Sequence, residues 1–177
     1  MLANRESAEG LIQKSQACWY ALYTCARHEK RVAEQIEQRR LSCFLPLYRS
    51  VRRWKDRRKE LQLAVFPGYV FVHMPLSSKR QVLEVPGVVQ LVSFNGKPAA
   101  LPADEIEALK SRLSSDAKAE PHPYLRAGKK VRVQRGPLQG LEGVILRRKD
   151  RCRLIFSIEL IQRSLAIEVD EADLEAI

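Results

Sequence analysis

A two-residue alternation of ring-bearing and aliphatic residues marks residues 69–73, which read Tyr-Val-Phe-Val-His. Successive side chains of an extended strand point to opposite faces, so Tyr69, Phe71 and His73 share one face and the two valines share the other. A Pro-Gly pair comes directly before the run and is typical of the start of a strand. The pattern indicates a strand with an aliphatic face for the core and an aromatic face opposite it. Burial of both faces in a central strand fits the same pattern.

The apolar patterns on either side of this strand order the first part of the chain as strand, helix, strand, strand, helix, strand, helix. Strands are predicted over 19–24, 43–48, 69–73 and 88–94, and helices over 28–40, over 77–85 and from 102 onward. This order predicts an α+β fold over residues 18–113: a β-α-β-β-α-β sandwich with an added helix. Residues 1–17 have no strong periodicity and are assigned to a tail.

The last third of the chain predicts a second, smaller domain. Residues 114–124 contain two prolines and little apolar surface to bury, so we assign them to a linker. Short strand-like runs separated by glycine turns then fill residues 125–177 and predict a small β-barrel. Its segment 153–169 also fits a helix, because alternate apolar residues suit a strand face while another apolar set suits a helical stripe.

Charge adds a candidate binding surface to this outline. Lys and Arg total 31 against 21 Asp and Glu, a net charge of +10, which indicates an anionic partner. The most basic window follows the second strand and should form a projecting hairpin. A solvated turn would also fit, but an aromatic residue among so many cations favours nucleic-acid contact. The candidate residues are Arg52, Arg53, Trp54, Lys55, Arg57, Arg58 and Lys59.

Other residue types argue against an enzyme, a metal protein or a membrane protein. The four cysteines include no C-x-x-C pair, and the three histidines fall on separate elements, so we expect no metal, cofactor or disulfide framework. No nucleophile elbow or phosphate-binding loop is present, so an enzyme is not expected. No run approaches 18 apolar residues, so no membrane contact is expected. We therefore expect a cytoplasmic monomer with reduced thiols.

Five motifs, taken in order, resemble the NusG family of transcription elongation factors over residues 18–177. They are Trp19-Tyr20 ahead of a basic helix, Phe66-Pro67-Gly68-Tyr69-Val70-Phe71-Val72, Pro86-Gly87-Val88, Gly96-Lys97-Pro98, and a KOW-like signature running from Gly136 to Gly143. The resemblance implies an NGN-like amino-terminal domain and an SH3-like KOW barrel. It also implies a non-enzymatic elongation and antitermination factor without a cofactor.

The resemblance assigns partners to particular residues. In the family, aromatic residues of the third strand dock on the clamp helices of the RNA polymerase β′ subunit, which implies that role for Tyr69 and Phe71. The segment after that strand faces the gate loop of the β subunit in the family, which implies a contact through Ser78, Lys79 and Arg80. The basic hairpin is then expected to contact DNA near the transcription bubble.

The barrel departs from the general factor of the family. Leu138 and Leu141 stand where that factor presents phenylalanines to a small-subunit ribosomal protein or to Rho. Residues 157–164 are similar to specialised paralogues of the RfaH and UpxY type, which implies action on selected operons. RfaH can hold its barrel region as a helical hairpin, but the glycines and β-branched residues here favour strands, so we expect the barrel.

A structural RNA-binding protein, such as a ribosomal protein, is an alternative that accounts for part of the sequence. KOW-type barrels also occur in ribosomal proteins, so a ribosomal or RNA-binding structural protein would explain the positive charge and the small barrel. It would not explain the strand with an aromatic face, and we therefore prefer the transcription factor.

Overall fold

The computed structural model of the protein describes residues 16–53, 58–114, 119–122, 128–136, 139–148 and 151–177. In chain order the strands are β1 (Cys18–Thr24), β2 (Ser42–Phe44), β3 (Leu47–Arg53), β4 (Arg58–Ala64), β5 (Tyr69–Met74), β6 (Val88–Leu91), β7 (Ser93–Phe94), β8 (Lys97–Pro98), β9 (Ala100–Leu101), β10 (Ala119–His122), β11 (Lys130–Val133), β12 (Glu142–Arg148), β13 (Arg151–Ile158), β14 (Arg163–Val169) and β15 (Leu174–Ala176). The α-helices are α1 (Glu29–Gln38), α2 (Lys79–Leu83) and α3 (Ala103–Ser114).

The chain separates into two units that interleave along the sequence. The first comprises Met1–Leu45 and Gly68–Ala103, and the second comprises Pro46–Pro67 and Asp104–Ile177. In the described part of the chain, no helix is both long and apolar enough to cross a membrane.

The first unit is built on an antiparallel sheet in the order β2-β5-β1-β6, with β9 paired to the other end of β1. Helices α1 and α2 pack on one face of this sheet. The core between them is aliphatic, with Val32 and Ile36 from α1, Val82 from α2 and the two valines of β5 all fully buried. Each such side chain contributes about 1.5–3 kcal/mol when it is removed from water. This packing leaves the odd-numbered side chains of β5 on the opposite face.

The carboxy-terminal part of the second unit is an antiparallel sheet in the order β10-β14-β13-β12-β11-β15. Strands β13 and β14 are neighbours inside this sheet and bury apolar side chains such as Leu154, Phe156, Leu165 and Ile167. The strand interpretation of residues 153–169 is therefore confirmed and the helical alternative is not found. The predicted α+β class, a sandwich followed by a small SH3-like barrel, is likewise confirmed.

Residues 119–122 differ from the sequence-based assignment. They fall within the stretch 114–124, which we assigned to a linker, but they form β10 and pair antiparallel with β14. The polar groups at the edge of β14 account for this pairing, because an unpaired edge attracts any extended segment nearby. Pro121 is tolerated since β10 is itself an edge strand. The domain limits of 18–113 and 125–177 stay a prediction.

The second unit also contains a long two-stranded hairpin. Strand β3 pairs with β4 from Leu47 opposite Ala64 to Arg53 opposite Arg58. The single strand that the sequence predicts over 43–48 is instead divided at Leu45 and Pro46 into β2 and β3. Pro46 accepts a hydrogen bond from the Val65 amide at 2.9 Å, which closes the base of the hairpin.

One acidic side chain of α3 lies in an environment that opposes its charge. Burial raises the pKa of Glu105 above its ordinary value of 4.5, and the negative charge of Glu159 raises it further. The folded protein therefore holds this proton more tightly than the unfolded chain does. This contribution to stability is fully present below pH 4.5 and is lost as the pH rises through the folded pKa.

We expect Glu105→Gln to be more stable than the unchanged protein at pH 7, and equally stable at pH 4, because glutamine mimics the protonated acid. Urea unfolding at the two pH values measures the difference. Glu107→Gln is the matched control: Glu107 is exposed and pairs with Lys110 at 3.0 Å, so its loss should not stabilise the protein. An equal gain for Glu105→Gln at both pH values would mean that its ionisation is not the cause.

Candidate functional site

Six ring-bearing side chains line the face of the first sheet that points away from α1 and α2. They come from β1, β2 and β5, and we call them the aromatic face: Trp19, Tyr23, Phe44, Tyr69, Phe71 and His73. The strand register explains their meeting, because each ring of β5 lies directly opposite a ring of a neighbouring strand. The alternation predicted for residues 69–73 places its three rings here.

The rings contact one another in three cross-strand pairs. The ring centres lie 5.1 Å apart for Trp19 and His73, 5.5 Å apart for Tyr23 and Tyr69, and 6.2 Å apart for Phe44 and Phe71. Aromatic pairs at such distances add about 0.5–1.5 kcal/mol beyond the area they bury. Each ring of β5 is therefore in contact with a ring of a neighbouring strand, and together the six side chains form one continuous aromatic surface.

Exposure divides the aromatic face into a buried and an accessible part. Phe71 is fully buried and Trp19 nearly so. Tyr23 keeps 40% of its surface exposed, and its neighbour Tyr69 is half-buried. Phe44 and His73 are half-buried like Tyr69, so the Tyr23–Tyr69 end, which holds the most exposed ring, is the most accessible part of the face. The resemblance implies a docking role for both Tyr69 and Phe71, and of these two residues Tyr69 has accessible surface in the structure and Phe71 has none.

Gly68 fixes the start of β5, and it does so through a residue that the sequence analysis did not single out. Its φ of +85° is unfavourable for other residues, and a Cβ there would lie 3.3 Å from the Tyr23 ring. The Gly68 amide donates to the buried Glu29 carboxylate at 2.7 Å, and its carbonyl accepts from Thr24 at 2.8 Å. In the sequence, the only signal for Glu29 was its acidic side chain in the first turn of a predicted helix.

The Pro86-Gly87-Val88 motif also has a positioning role. Gly87 has a φ of +99°, and a Cβ there would lie 3.1 Å from Val32 Cγ2 and 3.3 Å from His28. Its carbonyl accepts a hydrogen bond from the Cys25 amide at 2.8 Å. Gly68 and Gly87 thus hold the loop between β1 and α1 from two sides, and this fixes the Tyr23 end of β1.

Ser78, Lys79 and Arg80 do not join the aromatic face. Ser78 ends a short 3-10 turn, and α2 begins at Lys79. Because Val82 of α2 enters the aliphatic core, this helix lies on the opposite side of the sheet from Tyr69. Arg80 forms an ion pair with Glu84 at 2.9 Å, and both groups are exposed. The three residues thus form a separate polar surface.

The basic hairpin is only partly within the described residues. Trp54, Lys55 and Arg57 lie outside them, and for Arg52, Arg53, Arg58 and Lys59 only the backbone is described. The backbone register places Arg52 opposite Lys59 and Arg53 opposite Arg58. The backbone register thus brings four basic residues into the far half of the hairpin, which is therefore a candidate nucleic-acid interface.

Of the two leucines in the KOW-like turn, Leu138 and Leu141, the structure describes only the second. Leu138 lies outside the described residues. Leu141 is buried, so it packs inside the barrel and offers little surface to a partner. The nearby Gly143 has a purely steric role, because a Cβ there would lie 2.6 Å from the Ile155 carbonyl oxygen.

The thiols and acids of the described residues suggest no metal chemistry. Within those residues no three His, Cys, Asp or Glu side chains come together in a way that could hold a metal ion. Cys18, Cys25 and Cys43 are free thiols. Burial, with a smaller effect of Glu37, raises the pKa of Cys43 to about 12, so this thiol stays protonated and unreactive.

Known proteins are similar to this chain along most of its length. A family model described as "Transcription termination factor nusG" matches residues 17–110. The protein named Transcription termination/antitermination protein NusG of Buchnera aphidicola is 28% identical over 172 residues, covering 89% of this chain and 94% of its own. The protein of the same name from Escherichia coli K12 is 27% identical over 171 residues, with the same coverage.

A solved structure supports the fold. The structure described as "Domain interaction in Thermotoga maritima NusG" has a TM-score of 0.60 and 21% sequence identity, covering 92% of this chain and 98% of that one. The matched family region, residues 17–110, contains all six residues of the aromatic face.

Proposed function

The chain belongs to the NusG family of transcription termination and antitermination proteins, and from this premise we propose that it docks on RNA polymerase through the aromatic face and modulates pausing or termination. Factors of this family act with RNA polymerase and are transcription factors rather than enzymes. The observation that carries the proposal is the row of cross-strand ring pairs, which ends in the accessible Tyr23 and Tyr69.

The proposed partner of the aromatic face is the helical hairpin of the clamp in the β′ subunit. An amphipathic helix binds by laying apolar side chains into a groove, and rigid aromatic anchors supply most of the affinity. The cross-strand ring pairs support this assignment, because side chains already held by contacts lose less entropy when they bind. In this proposal Tyr69 contacts the partner directly, and Phe71 supports Tyr69 from within the sheet.

We assign the second polymerase contact, to the gate loop of the β subunit, to Ser78, Lys79 and Arg80. Lys79 and Arg80 are exposed. The exposed pair of Arg80 with Glu84 is worth at most about 1 kcal/mol, so Arg80 can exchange it for a partner group. Helix α2 and the aromatic face lie on opposite faces of the sheet. In this proposal the polymerase therefore contacts both faces.

The basic hairpin is the proposed contact to DNA near the transcription bubble. The run of basic residues that the register places along both strands supports this, because phosphates bind such cations. Trp54 lies at the centre of the basic window in the sequence and is suited to stack on an unpaired base.

Replacing Arg52, Arg53, Arg57 and Arg58 with glutamine should weaken DNA binding and flatten its salt dependence. Each lost phosphate contact removes about 0.9 from the log–log slope on duplex DNA and about 0.7 on a single strand. Fluorescence titrations of single-stranded and duplex DNA at several salt concentrations measure the slope.

The matched control for this variant changes the same charge elsewhere. Lys129, Lys130, Arg135 and Arg163 are exposed cations of the barrel, and replacing all four with glutamine lowers the net charge equally. If the two quadruple variants flatten the slope alike, DNA binding follows overall charge and the hairpin has no special part in it.

We also propose that the barrel carries a second contact, to a small-subunit ribosomal protein or to Rho. Since Leu141 is buried, this proposal depends on Leu138 and its neighbours in the turn. The factor would be a cytoplasmic monomer and a specialised paralogue that acts on selected operons.

Co-purification tests the function as a whole. RNA polymerase subunits should be recovered with the tagged full-length chain, and mapping its genomic occupancy should then give a few long operons. Recovery with salt-stable ribosomal subunits would favour the ribosomal or RNA-binding structural protein instead. Occupancy on most transcribed genes would identify a general factor and contradict the specialised paralogue.

A further inference from the structure

Strand β10 covers one edge of the barrel sheet. It pairs with β14 from Ala119 opposite Ile167 to His122 opposite Ser164. The β14 residues at this edge, from Ser164 to Ile167, are all buried. The chain thus uses a short segment between α3 and the barrel to cover a strand edge that would otherwise be open.

The register determines which backbone groups of β14 face β10. In an antiparallel pair the N–H and C=O of one residue point to the same side, and this side alternates along the strand. Pro121 lies opposite Leu165 and has no N–H to donate. We therefore assign these two residues to a non-hydrogen-bonded pair, in which the backbone groups of each residue point away from the other. The amides of Ser164 and Ala166 then point to β10, and those of Leu165 and Ile167 point to β13.

A contact between β13 and β14 supports this assignment of the amide directions. The hydroxyl oxygens of Ser157 and Ser164 lie 2.7 Å apart, across the pair that these residues form between β13 and β14. Side chains approach most closely in pairs that are not hydrogen-bonded through the backbone. Ser164 therefore directs its backbone groups away from β13, towards β10.

The attachment of β10 is weak compared with that of the other neighbour of β14. It pairs over four residues, one of which is a proline, whereas β13 pairs with β14 over seven. Among the strands that the structure describes, β10 lies at the end of the sheet order and has β14 as its one neighbour. Short edge segments open locally at a small fraction of the cost of global unfolding.

Release of β10 would change the length of the chain that joins α3 to the barrel. Helix α3 ends at Ser114, β10 begins at Ala119 and β11 begins at Lys130. With β10 in place, the five residue steps from Ser114 to Ala119 span at most about 18 Å. With β10 released, the sixteen steps from Ser114 to Lys130 span at most about 58 Å.

We propose that β10 is a releasable strap that sets how far the barrel can move from the end of α3. Docked on β14, it keeps the barrel near the helix, and released, it roughly triples the reach of the barrel. This goes beyond the proposed polymerase docking, since it concerns how far from that site the barrel can search for its own partner. The strap is part of this chain and needs no further component.

Amide hydrogen exchange in the full-length protein tests the strap. In β14, the amides of residues 164 and 166 report on β10, and those of residues 165 and 167 are the controls. The amides of Ser164 and Ala166 should exchange at least about 100-fold faster than those of Leu165 and Ile167, because only the former open with β10. Glu120→Pro should remove the remaining protection of Ser164 and Ala166 and leave that of Leu165 and Ile167 intact. Ala117→Pro, outside the strand, should change none of the four.

A distance measurement tests the change in reach. Spin labels are attached at Ser111 on α3 and Gln162 on the barrel, both exposed, after the native cysteines are replaced. Glu120→Pro should broaden the distance distribution and shift it to longer values, and Ala117→Pro should not. The proposal is wrong, and β10 is an integral strand of the barrel, in either of two cases. In the first, the amides of residues 164–167 all exchange at the same rate. In the second, Glu120→Pro leaves the distance distribution unchanged.

Discussion

The Phe71→Ala variant is expected to lose about 3–5 kcal/mol of its free energy of unfolding, the usual cost of truncating a fully buried phenylalanine. Phe71 has no exposed surface, and its ring lies 6.2 Å from that of Phe44. Removing it leaves a cavity at the centre of the aromatic face and takes away the support of both neighbouring strands. Urea unfolding followed by circular dichroism measures the loss as a lower midpoint with an unchanged slope.

Phe71→Leu is the control for this variant. It keeps an apolar side chain of intermediate size at the same position, so it should lose clearly less stability than Phe71→Ala. If Phe71→Ala kept the midpoint of the unchanged protein but lost its affinity for polymerase, Phe71 would be a docking residue, as the resemblance implies, and its buried position would be wrong.

The Tyr69→Ala variant is expected to lose affinity for RNA polymerase and to remain folded. Truncating a central aromatic anchor costs about 2–4 kcal/mol of binding, which raises Kd about 30- to 900-fold. Because Tyr69 is only half-buried, its contribution to stability should be near the value of its ring pair with Tyr23, about 0.5–1.5 kcal/mol. Binding to purified core polymerase and urea unfolding measure the two effects separately.

Phe94→Ala is the matched control for Tyr69→Ala. Phe94 is an aromatic residue of the same unit with 69% of its surface exposed, but it lies on the β7–β8 hairpin rather than on the aromatic face. Its removal should leave polymerase affinity unchanged. Equal losses from both variants, or no loss from Tyr69→Ala, would contradict the assignment of the aromatic face as the docking surface.

The two-residue period of β5 was sufficient to predict which side chains share a face. Val70 and Val72 do enter the core under α1 and α2, and Tyr69, Phe71 and His73 do meet rings of the neighbouring strands. Residues 153–169 fit the period of a strand and that of a helix alike, and only the pairing of β13 with β14 in the structure shows that they form strands. Alternation is a local property of an extended backbone, and it therefore follows from the sequence without knowledge of the partners.

The role of Glu29 could not be predicted in this way. Nothing in the residues near it indicates that its carboxylate accepts a hydrogen bond from Gly68, 39 positions later in the chain. The β10 strand is a similar case, because its composition is that of a linker and only the open edge of β14 accounts for it. Both features depend on groups that are distant in the sequence and become neighbours only after folding.

The sequence by itself determined the α+β class, the order of sandwich and barrel, the faces of β5 and the charge of the hairpin, since these depend on periodicity, turn residues and composition. Only the tertiary structure decided that Phe71 and Leu141 are buried while Tyr69 is accessible, and that Ser78, Lys79 and Arg80 lie apart from the aromatic face. The physical reason is that a pattern fixes the direction in which a side chain points. How much of that side chain remains exposed depends on the segments, distant in sequence, that pack against it.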